Sequence, residues 1–114
     1  PLYHVLADVG EFAGGEAVPC TSSSPLDADG LVLRDGDRQR VLLANLSPLP
    51  QTVCLRGLDL GAHAWVKHLD ETNVEAAMRA PEAYRAEPGQ PQPASPEGLE
   101  VHLRPHAVAC IDAA

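Results

Sequence analysis

Apolar positions in residues 2–13 fall at helical spacing. Leu2, Val5, Leu6, Val9, Phe12 and Ala13 form one stripe, with Asp8 and Glu11 off it. Gly14-Gly15 follows as a C-cap, so the pattern predicts a helix that docks on something. The period then shortens. Residues 16–20 read as a brief stretch that Pro19 confines to a sheet edge or excludes from a strand. Residues 21–25 are loop. Residues 30–34 and 40–46 read as strands joined through Asp35-Gly36-Asp37, because Asp-Gly between apolar runs signals a hairpin. From Val41 the second strand is almost continuously apolar, which predicts a central position. Residues 47–50 turn the chain. Residues 51–56 alternate, with Val53 and Leu55 on one face and Thr52, Cys54 and Arg56 on the other. After a connector at 57–61, residues 62–69 read as a strand carrying Trp65.

Thr72-Asn73-Val74-Glu75 matches a reciprocal capping box, so a short helix is expected at about residues 73–79, with Pro81 stopping it or starting a second turn. Residues 87–98 contain Pro88, Pro91, Pro93 and Pro96 and predict an exposed, extended loop. Residues 99–103 and 107–111 close the chain as strands, separated by Pro105. The reading is all-β: an antiparallel β-sandwich with an N-terminal helix and one short helix in a crossover loop. Its expected core is Leu31, Leu33, Val41, Leu43, Val53, Leu55, Val66, Leu69, Leu99, Val101, Leu103, Val108 and Ile111. A chain that opens inside a helical pattern and closes on a core strand predicts a C-terminal domain. Residues 1–15 are then a terminal helix joining to an absent upstream domain, and residues 16–114 are the sandwich.

Composition narrows the function classes. The chain has 114 residues and is 45% apolar, enough for one domain with a proper core. A net charge of −8 argues against nucleic acid and anionic membrane surfaces as partners. No apolar run approaches the roughly 20 residues of a membrane span. Cys20, Cys54 and Cys110 are far apart and form no C-x-x-C, which fits a reducing, cytoplasmic compartment and thiols that act as small buried hydrophobes. One Trp, one Phe and two Tyr leave few faces for stacking on sugars.

Candidate chemistry is sparse. His102 and His106 have the spacing of a helical zinc pair, but Pro105 lies between them on a strand-like segment. Asp27, Asp29, Asp35 and Asp37 lack the remaining ligands of a calcium loop and read as turn formers. Asp70-Glu71 sit at a strand-to-helix junction, where carboxylates favour the positive helix end. Asn45-Leu46-Ser47 fits a glycosylation sequon but lies in a core strand. No nucleophile elbow or phosphate-binding glycine loop occurs. No catalytic, cofactor-binding or metal-ligating residue is therefore assigned.

Residues 30–34, 40–47, 51–58, 66–71 and 103–112 together resemble the C-terminal β-sandwich appended to (β/α)-barrel glycoside hydrolases. The final L-x-P-x-A-V-A-x-I-D pattern, from Leu103 to Asp112, is similar to the closing strands of such domains; His106 stands where a Tyr often occurs. Residues 1–14 resemble the last barrel helix. Among such proteins the chain resembles the D-apionate lactonase-like family, which acts on sugar acids. The resemblance implies catalytic residues in a barrel and none here. The expected role is a non-catalytic accessory domain that packs on and stabilises an upstream barrel hydrolase of the same chain. Leu2, Val5, Leu6, Val9 and Phe12 are the candidate domain interface, and the same patch would pair two copies of the isolated piece. The alternative is a carbohydrate-binding module using Trp65 or Tyr84. An independent small enzyme or metal protein has no support in the spacing of His, Cys or acids.

Overall fold

Side chains that alternate inward and outward build two antiparallel sheets, stacked face to face. The computed structural model describes residues 2–58, 60–95 and 97–113. What the sequence suggests at Pro1, Asp59, Pro96 and Ala114 lies outside the described residues. The larger sheet has the order β1 (Glu16–Pro19), β2 (Ala28–Asp35), β3 (Arg38–Asn45), β8 (Val108–Ala113), β5 (His63–Leu69), β6 (Gln90–Pro93). The smaller sheet pairs β4 (Gln51–Leu55) with β7 (Leu99–Leu103). Helix α1 (Leu2–Gly10) precedes the sandwich, and the crossover between β5 and β6 holds α2 (Val74–Arg79) and α3 (Pro81–Ala86). The crossover thus carries two short helices where one was expected. Pro81 starts the second at a position where its missing N–H costs nothing.

Register decides which side chains meet. Val32, Val41, Ile111 and Val66 lie side by side across four strands and face the smaller sheet. Val101, Leu103, Leu99 and Leu55 meet them from the opposite sheet. The other face of the large sheet is also covered. Leu33, Leu42 and Cys110 pack there with Phe12, and Leu69 packs with Ala77 and Tyr84 of the crossover helices. Two-sided covering is why residues 41–43 are apolar without alternation. It also corrects the expected core. Leu31 and Leu33 belong to the helix-bearing face, Val32 replaces them in the inter-sheet core, and Leu69 serves the helices. Leu31, Val53 and Val108 are only half-buried.

Three local expectations change. Residues 90–93 form an edge strand on β5 instead of a free loop. Ala94 N–H donates to Ala62 O, so alternate residues face β5 while Pro91 and Pro93 point their missing donors outward. The β2–β3 connection is the two-residue turn Gly36-Asp37, with Gly36 at φ 61°. The capping box does not form. Thr72 Oγ1 donates to Asp70 Oδ1, Glu75 pairs with Arg79, and Asn73 takes the N-cap position without a side-chain cap. Asn73 instead donates to His68 O and accepts from Asp70 N–H, which ties the helix start to β5.

Candidate functional site

Helix α1 is amphipathic, and most of its apolar stripe is turned away from the sandwich. Leu2 and Leu6 are 68% and 61% exposed, and Tyr3 and Val9 also face outward. Val5 is half-buried. The side of α1 that meets the sandwich is polar. His4 is 1% exposed and its Nε2 lies 2.9 Å from Ala77 O, so Nε2 carries the proton that donates there. The His4 ring sits 4.4 Å from that of Tyr84. Phe12 lies on the turn beyond the helix and is buried in its own domain's core, beneath the guanidiniums of Arg38 and Arg40 at 4.4 and 4.9 Å.

Carboxylates and guanidiniums hold the rest of the contact. Arg85 of α3 meets Asp8 at 2.6 Å and Glu11 at 3.0 Å, and donates to His4 O at 3.2 Å. Arg40 of β3 donates to Glu11 Oε1 at 2.6 Å and to Asp8 O at 2.9 Å. Its other bonds run to both oxygens of Asp112 on β8, at 2.6 and 3.0 Å. Glu11 thereby bridges the two arginines. Burial pushes its carboxyl up, but the hydrogen bonds and charges of Arg40 and Arg85 outweigh that and hold it below the usual carboxylate range. The sign is that of a lowered acid. Its contribution to stability is complete above the ordinary carboxylate value and is lost as pH falls through the lowered one.

Trp65 and Tyr84, the candidate sugar contacts, differ in fate. Tyr84 is buried, its hydroxyl donates to His68 O, and burial pushes its pKa up to about 12. Trp65 is 39% exposed and rims a hollow of about 120 Å³ with Asp8, Glu11, Arg40, Lys67 and Arg85. Ligand pockets run to about 300–1,000 Å³; here Asp8, Glu11, Arg40 and Arg85 are bonded to one another, and Lys67 donates to the carbonyls of Tyr84 and Glu87. A larger hollow of about 340 Å³ lies over Phe12, Arg38 and Asp37 and opens to solvent.

The remaining candidates resolve into structure. Asp70 accepts from Thr72, and Glu71 lies 3.5 Å from Arg104. Asp27 accepts from Ser24, and Asp35 pairs with Arg38. Among the described residues no three His, Cys, Asp or Glu side chains come together as a metal site. Among them, too, no helix is long and apolar enough to cross a membrane. Asn45 of the sequon is 2% exposed and its amide donates to both Leu49 O and Arg104 O.

The cysteines are all free, but they do not share the expected burial. Cys110 is buried, Cys20 half-buried and Cys54 exposed on the outer face of β4, where strand alternation alone places it. Burial, reinforced by the Asp8 charge, pushes the Cys110 thiol up to about 12. Iodoacetamide at neutral pH is therefore expected to alkylate Cys54 in the folded protein and Cys110 only after denaturation, as read by peptide mass mapping. Equal labelling of the two in the folded state would contradict this burial.

Sequence reasoning found the apolar stripe but missed Arg40 and Arg85. Each is an ordinary charged residue in its own segment, and only the fold brings it to α1. Comparison with known proteins yields no curated protein that matches the chain. A family model described as the D-apionate lactonase C-terminal immunoglobulin-like domain matches residues 25–111, so α1 and β1 precede the matched region. With more than half of its length matched, the chain belongs to the family of D-apionate lactonase C-terminal immunoglobulin-like domains.

Proposed function

We propose that this domain is a non-catalytic accessory domain that packs on and stabilises an upstream (β/α)-barrel hydrolase domain acting on sugars or sugar acids. One observation carries the reading: the apolar side of α1, with Leu2, Tyr3, Leu6 and Val9, is turned away from the domain that α1 is docked on. Each such side chain is worth about 1.5–3 kcal/mol when fully buried, before the ordering cost of association. A helix polar toward one body and apolar toward another is suited to join them. The free thiols and acidic charge are consistent with a cytoplasmic protein that binds neither nucleic acid nor membrane.

The test uses the full protein with its upstream domain. Leu2→Asp together with Leu6→Asp places two charges in the joint. The expected result is a loss of about 2–4 kcal/mol in the stability of the full protein, seen as a lowered thermal midpoint. In the 114-residue chain alone the same changes leave the stability within about 0.5 kcal/mol of the parent, because both positions are exposed there. An unchanged midpoint in the full protein rules the joint out.

A further inference from the structure

The contact between α1 and the sandwich is charged where most helix docks are apolar. Of the nine residues of α1, only His4 is buried. None belongs to the cluster between the two sheets, and Phe12, the apolar anchor, lies beyond the last helical residue. A helix this short is marginal by itself in water. Its persistence rests on the groups that hold it. We infer that the helix-bearing face of the large sheet is an acceptor surface that reads α1 by its carboxylates, through Arg40 and Arg85, and that α1 opens from it as a unit while both sheets stay folded.

Geometry supports each half. The two carboxylates, Asp8 and Glu11, stand about one helical turn apart on the inner side of the chain, and the Arg85 fork spans them. Arg40 makes both of its bonds to Asp112 within the large sheet, with no atom of α1 involved, so the sheet itself orients the acceptor. Lifting α1 uncovers His4, Asp8 and Glu11, which water can solvate, and leaves the inter-sheet core closed. The inference does not depend on the accessory reading, since it concerns this chain alone.

Hydrogen exchange on the 114-residue chain tests it. In Arg85→Gln, amides of residues 6–10 are expected to exchange at least about tenfold faster than in the parent, while amides of residues 41–43 and 109–111 keep their rates. Asp8→Asn with Glu11→Gln makes the same measurement from the helix side, with no residue of either sheet substituted, and decides the matter if Arg85→Gln disturbs α3. Unchanged exchange in α1, or equal acceleration in α1 and the central strands, overturns the inference.

Discussion

Leu103→Ala is expected to destabilise the domain by about 3–4 kcal/mol. Leu103 is 1% exposed and sits on the inner face of β7, in the cluster that closes the small sheet onto the large one. The loss combines the transfer energy of the removed methyl-bearing carbons with the cavity they leave, and a two-stranded sheet has no neighbour strands to collapse inward. For a domain of this size the shift corresponds to about 10–15 °C in the thermal midpoint. Thermal and urea unfolding followed by circular dichroism measure it. Thr52→Ala, on the outer face of β4, serves as the control and should stay within about 0.5 kcal/mol. A Leu103→Ala loss as small as that of the control would mean that the two sheets do not share a core.

Asn45→Ala should cost about 3 kcal/mol, by a different route. The Asn45 amide donates to Leu49 O at 2.7 Å and Arg104 O at 3.0 Å, while its Oδ1 accepts from Ser47 N–H at 2.9 Å. These bonds tie the turn after β3 to the turn before β8. Alanine removes all three at once: the buried Ser47 N–H loses its acceptor, Leu49 O keeps only the longer bond from the Ser47 hydroxyl, and Arg104 O keeps its bond from Ala107 N–H. Ser47 extends the same clip, its hydroxyl accepting from Leu49 N–H and from the Gln51 amide. The turn before β8 also holds His106 at φ 57°, a left-handed conformation that few side chains adopt, with its N–H bonded to Ser47 O. The expected signature is a lower unfolding midpoint together with faster amide exchange at Ser47 and His106. A loss below about 1 kcal/mol would show that water replaces the Asn45 bonds freely.

Much of this fold is legible in the chain. Alternation at residues 51–55 and 99–103 places Val53, Leu55, Leu99, Val101 and Leu103 on one face, and the structure pairs Val53 with Val101 and Leu55 with Leu99 across β4 and β7. The Asp-Gly hairpin lies where turn chemistry puts it. The misplacements have a common cause. Where both faces of a strand are covered, hydrophobicity no longer alternates, and Leu31 and Val32 cannot be assigned to faces from pattern alone. Prolines at 91 and 93 read as strand breakers, yet an edge strand has one side that needs no donors.

The helix shows the division most clearly. Local spacing determined that residues 2–10 form a helix with an apolar stripe, because side-chain position around a helix depends only on the residue count. The tertiary structure alone decided which side of that helix the sandwich takes. That choice rests on Arg40 and Arg85 meeting Asp8 and Glu11. Pairing of charges so distant along the chain depends on where folding carries them, and nothing in the local pattern records it.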